Sequence, residues 1–151
     1  MKFRMIDRID AWQKRSSIFG SKAVSFEEYS LRDSLGAQPS LPESLVLESL
    51  FQLGNWLIVL SSDFTQMGLV IRTERVEFCK PLRPGQRIDG TITVKHYRDD
   101  GICFDGEARA EGKVVARGTS CLAVPAPLAD YCDPADLRVL FSEIHRPRED
   151  D

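Results

Sequence analysis

Between residues 88 and 97, Ile88, Ile92 and Val94 share one parity and Thr91, Thr93 and Lys95 the other, a period of two that predicts a half-buried β-strand. Residues 69–79 repeat the pattern more loosely, with Val70, Val76 and Phe78 on one parity. Asp99-Asp100-Gly101 and Glu111-Gly112 are hairpin signals, so 88–97, 102–110 and 113–123 read as an antiparallel meander. The stretch PESLVLESLFQLGNWLIVL, residues 42–60, has no such alternation. Its apolar residues surround most of a helical cylinder, the pattern of a helix of about 41–61 enclosed by other structure. The exceptions, Ser44, Glu48, Gln52 and Asn55, follow i, i+4, i+8 and i+11 and share one face. At the helix start, Ser40 is placed to cap the first-turn amides and Glu43 to reach back, with Pro42 where a missing N–H costs nothing.

The flanks are less regular. A short turn over 3–9 leads into two strands within 11–24 that meet near Ser16-Ser17 or Gly20-Ser21, and 25–41, with Gly36 and Pro39, reads as a loop. Pro125, Pro127 and Pro134 punctuate the tail. Asp133 opens a final helix carrying Leu137, Leu140, Phe141 and Ile144 at helical spacing. That stripe is expected to pack on its own domain, with a partner subunit as the alternative. One long buried helix followed by strands in series predicts an α+β fold, a sheet curled around the helix. We expect a single domain over 1–151 with a helical extension from about 126.

Composition narrows the function. The 20 Lys and Arg against 23 Asp and Glu give a net charge of -3, without the basic face that nucleic acid requires. The charged start MKFRMIDRID lacks the apolar core of a secretory signal, so a cytoplasmic location is expected. Polar residues and Gly54 interrupt 44–62 too often for a membrane span. The four cysteines, Cys79, Cys103, Cys121 and Cys132, have no metal-ligand spacing and read as free thiols, and neither metal nor redox cofactor is implied. One feature is costly: Glu48 puts a carboxylate in the second turn of a helix that is otherwise dry.

Five segments, in order, resemble the 3-hydroxyacyl-[acyl-carrier-protein] dehydratases of fatty acid synthesis, a hot-dog family. Phe3-Arg-Met-Ile-Asp-Arg-Ile is similar to the family's opening, and Val24-Ser-Phe-Glu-Glu to the strand end before its active-site loop. Pro39-Ser-Leu-Pro42 is similar to its Pro-x-x-Pro, Leu47-Glu48-Ser-Leu-Phe-Gln52 to its catalytic turn, and the run from Val76 through Phe78, Pro81 and Pro84-Gly85 to its Phe-x-x-Pro-x-x-Pro-Gly strand and turn. The resemblance implies an antiparallel sheet wrapped around the central helix, and dimers with sites at the interface. There a loop histidine removes the proton alpha to a thioester carbonyl and a helix carboxyl helps the 3-hydroxyl leave as water. It places Glu48 on the carboxylate, facing a substrate tunnel, in the role of general acid. Pro42, Glu43 and Ser44 at the helix start, and Gln52, are the implied substrate-binding residues. The implied partners are an acyl-acyl carrier protein or acyl-CoA, and a second subunit in a homodimer or a heterodimer with a paralogue.

Two positions depart from the family. Its histidine is Ser34 here, and a hydroxyl without a basic group should lose about 10²- to 10⁴-fold as general base. Its glycine after the second proline is Glu43. The other candidate bases are His96, His145 and Asp33. Three functions follow: a dehydratase with weakened or lost chemistry, a non-catalytic acyl-carrier binding subunit that lends Glu48 to a histidine-containing paralogue, and a thioesterase in which Glu48 activates water or attacks the thioester. Glu48 also fits a satisfied polar network at a dimer interface. Arg83 and Arg87 flank a turn that is either solvated or meets an acidic carrier or a phosphopantetheine phosphate.

Overall fold

The computed structural model describes residues 4–27 and 39–149. Strands β1 (Arg8–Gln13) and β2 (Ser17–Ala23) precede helix α1 (Glu43–Ser61), which is followed by β3 (Gln66–Phe78), β4 (Arg87–Arg98), β5 (Gly101–Ala110), β6 (Lys113–Pro127) and helix α2 (Pro134–Ile144). The strands make one antiparallel sheet in the order β1-β2-β4-β5-β6-β3, and α1 lies against β2 to β6. This is the α+β hot-dog architecture, a sheet wrapped around its helix. It accounts for the nearly all-round apolar surface of α1, because each face meets a different strand.

Leu50, Leu53, Leu57 and Ile58 of α1 are buried among Ile18, Ile92, Phe104 and Ala123 of the sheet. Each such side chain contributes about 1.5–3 kcal/mol of burial, so packing rather than end effects holds the helix. Although α1 is long and apolar enough to cross a bilayer, it is the core of this sheet. Close approach depends on Gly54, where a Cβ would lie 2.7 Å from Cζ of Phe104.

Helix α1 begins differently from the sequence expectation. Ser40 does not cap it: Leu41 is drawn into a bridge with Leu82, donating its N–H to the Leu82 carbonyl at 2.8 Å, which leaves Pro42 as the extended N-cap. The Pro42 carbonyl accepts from Leu45 and Val46, and no side chain caps the end. A tertiary backbone bridge has overridden the local capping signal.

Both hairpin signals become turns. Glu111 and Gly112 have φ of 52° and 75°, as a two-residue type I′ connection requires. The β1-β2 turn falls at 14–16. Strand β6 runs beyond the expected 123, pairing with β3 as far as Pro127 opposite Gln66. Alternation puts the missing N–H groups of Pro125 and Pro127 on one edge, and past Ala123 one edge of β6 has no β5 partner to lose.

The tail forms a helix, and its stripe packs on the chain's own core except at Leu140. Asp133 accepts from the Ala135 N–H at 2.8 Å and Pro134 occupies the first helical position. Leu137, Phe141 and Ile144 pack against the core, and Phe141 lies between Trp56 and Phe64 at centroid distances of 5.9 and 6.1 Å. His145 bridges to Ile9 and the Arg146 N–H reaches the Ile9 carbonyl at 3.0 Å, covering part of the β1 edge. The opposite edge, β3, is long and exposes Leu69, Ile71, Val76 and Phe78.

Candidate functional site

Glu48, Gln52 and Asn55 are half-buried on one face of α1, and two of them are tied to flanking backbone. Gln52 Oε1 accepts the Met5 N–H at 2.8 Å, while its Nε2 donates to Glu48 Oε1 at 3.0 Å. Asn55 Oδ1 accepts the Gly68 N–H of β3 at 2.8 Å. These amides therefore satisfy backbone donors at both margins of the helix, and the Gln52 bond orients the carboxylate.

Cavities open on two sides of this stripe. One, of about 240 Å³, has Phe51, Met67 and Val70 as walls. The other, of about 340 Å³, lies toward α2 with Trp56, Val59, Leu137 and Leu140 as walls and Arg4 beside them. Glu48, Gln52 and Asn55 line both. A fixed carboxyl bordered by apolar walls can exchange a proton with a hydroxyl while those walls hold an apolar chain.

The expected helix-start residues are not gathered there. Pro42 is half-buried, Glu43 and Ser44 are exposed, and none lines either cavity that Glu48 lines. Ser34 and Asp33 lie outside the described residues. His96 is exposed on β4, and His145 stacks on Phe141 with centroids 4.8 Å apart; neither reaches these cavities. Arg87 pairs with Asp89 at 3.0 Å and the Arg83 N–H donates to Gln86, both at an exposed turn. The four cysteines are free, and burial pushes the Cys121 thiol up. Among the described residues no group of His, Cys, Asp or Glu is placed to hold a metal ion.

A larger depression, about 410 Å³, lies over Thr91, Thr93, Gly106 and Thr119. Its charges are already matched: Glu107 accepts from Arg117 at 2.8 Å and from Arg109 at 2.6 Å, and the Arg117 hydrogen bond first, then Arg109, holds the Glu107 carboxyl below its ordinary range. It lacks the apolar walls that flank Glu48. Sequence reasoning found Glu48, Gln52 and Asn55 from their spacing but missed Arg4, Trp56 and Val59 as cavity walls, because only tertiary packing of the chain's two ends onto α1 makes them so.

Comparison with known proteins identifies the family and the fold. Residues 1–119 match the FabA-like domain model. The chain is 29% identical over 118 residues to the 3-hydroxyacyl-[acyl-carrier-protein] dehydratase FabZ of Aliarcobacter butzleri, covering 74% of this chain and 80% of that one. It is 30% identical over 117 residues to the FabZ of Sorangium cellulosum, covering 76% of each. Among solved structures, the PaaI protein from the phenylacetic acid degradation operon of E. coli superposes with a TM-score of 0.62 over 78% of both chains at 13% identity, a likeness of fold. The matched residues include α1 with its whole polar stripe, and the chain belongs to the FabA-like family of hot-dog proteins.

Proposed function

We propose that this protein binds 3-hydroxyacyl thioesters, carried on acyl carrier protein or coenzyme A, and presents Glu48 as the acid of a dehydration. The observation that carries this reading is the 3.0 Å bond from Gln52 to Glu48 at the border of two partly apolar cavities. In the reaction a base removes the proton on C2, its electrons form the C2–C3 double bond, and the C3–O bond breaks. The departing hydroxyl takes the Glu48 proton and leaves as water. Ser34, at the family's histidine position, has no basic group, so this chain alone should be slow by about 10²- to 10⁴-fold.

The β3 edge and Ser34 together favour a second reading, in which a histidine-bearing paralogue supplies the base across a heterodimer interface. A long edge strand with exposed Leu69, Ile71, Val76 and Phe78 is suited to pairing with another chain. The test is calorimetric titration with a 3-hydroxyacyl pantetheine amide, which resists hydrolysis far better than the thioester. Saturable binding that falls at least about tenfold in Val70→Trp, with an unchanged melting temperature, supports the reading. No binding by the unaltered protein overturns it.

A further inference from the structure

The α1 face that starts at Glu48 does not end at Asn55. Glu48, Gln52, Asn55, Trp56 and Val59 follow i, i+4, i+7, i+8 and i+11, a strip running roughly 16 Å along the helix that is polar at one end and apolar at the other. Opposite its apolar end stand Leu137 and Leu140 of α2. Helix α2 lies wholly outside residues 1–119, the part that matches the FabA-like domain.

Its position is fixed by several contacts. Arg138 pairs with Asp63 at 3.3 Å and sits 4.3 Å over the Phe64 ring, and Phe141 packs against Trp56. Leu137 also joins the core packing, whereas Leu140 is half-buried, lines the cavity and is not among the side chains packed on the core. A half-buried leucine facing a cavity of about 340 Å³ leaves apolar area available to a ligand.

Resting on the acyl-thioester reading above, we infer that the space between α1 and α2 receives the distal end of the acyl chain, and that Leu140, with Trp56, sets how long a chain the protein accepts. The polar-to-apolar order of the strip matches such a ligand, with the 3-hydroxyl at Glu48 and the hydrocarbon tail toward Val59. The tail helix thereby serves as the far wall of the site.

The test is a titration of the full chain with short-, medium- and long-chain 3-hydroxyacyl pantetheine amides, followed by calorimetry. Leu140→Trp should weaken the longest chain that binds by about tenfold or more, equivalent to withdrawing a few methylenes from burial, and leave the shortest unchanged. Leu140→Ala, which fills nothing, should retain short-chain binding and shift preference toward longer chains. Unchanged length profiles in both variants, or equal loss at every length with the fold intact, would overturn the inference while leaving the acyl-thioester reading standing. Absence of binding at every length in the unaltered protein would overturn that reading itself.

Discussion

Gln52 Nε2 donates to Glu48 Oε1 at 3.0 Å while the same side chain accepts the Met5 N–H at 2.8 Å. One amide thus couples the carboxylate to the placement of the N-terminal segment. Gln52→Leu removes both bonds and strands the Met5 donor, and should cost about 1–3 kcal/mol of stability. With Glu48 no longer oriented, turnover measured in a Ser34→His background should fall by up to about 10²-fold with little change in KM. Chemical denaturation and steady-state kinetics on the two proteins check this together.

The seat of α1 on β5 predicts a strong steric effect. A methyl group at Gly54 would lie 2.7 Å from the Phe104 ring, so Gly54→Ala should destabilise by about 1–3 kcal/mol despite alanine's better helix propensity. Phe104→Leu, combined with it, should be less harmful than the sum of the two single changes, because the clash goes with the ring. Denaturation midpoints of the four proteins in that cycle provide the measurement.

Much of this arrangement was legible in the chain. Period two marks β3 and β4, the hairpin signals at 99–101 and 111–112 delimit β5 and β6, and the polar exceptions Ser44, Glu48, Gln52 and Asn55 mark the stripe. What escaped were relationships between distant segments: the Leu41–Leu82 bridge that moved the helix cap from Ser40 to Pro42, the clamp between Met5 and Gln52, and the wall that Leu137 and Leu140 raise opposite Trp56. Local spacing carries no record of which remote backbone or side chain a residue will meet. Prolines 125 and 127 misled for a related reason, since they are tolerated where β6 outruns its β5 neighbour.

The Glu107 cluster predicts a pH dependence. Arg117, and then Arg109, hold the carboxyl below its ordinary 4.5, so the folded state favours the ionised form more than the unfolded chain does. Its stabilisation is present above that ordinary value and is lost as pH falls through the lower, folded-state one. Because these groups are partly exposed, Glu107→Gln should cost about 1 kcal/mol or less at neutral pH. The gap between the two proteins should close well below pH 4.5 in melting experiments across pH.

Pairing of two chains through the β3 edge, proposed above, would be visible in the assembly state. Ile71 is 63% exposed in the middle of that strand, and a lysine there would oppose pairing with another edge. Ile71→Lys should shift the protein toward monomer in size-exclusion chromatography with light scattering while keeping its far-ultraviolet circular dichroism. An unchanged mass would contradict pairing through β3.

In the reading proposed above, Glu48 is the acid of an acyl-thioester site whose base position, Ser34, is empty of basic function. That reading is tested most directly by measuring enoyl formation and thiol release together from a 3-hydroxyacyl thioester, in the unaltered protein, Ser34→His and Ser34→His/Glu48→Gln. The expected result is little enoyl product from the unaltered protein, a gain of about 10²-fold or more in Ser34→His, and loss of that gain when Glu48 is also replaced. Enoyl formation that is insensitive to Glu48, or thiol release without enoyl product, would contradict it.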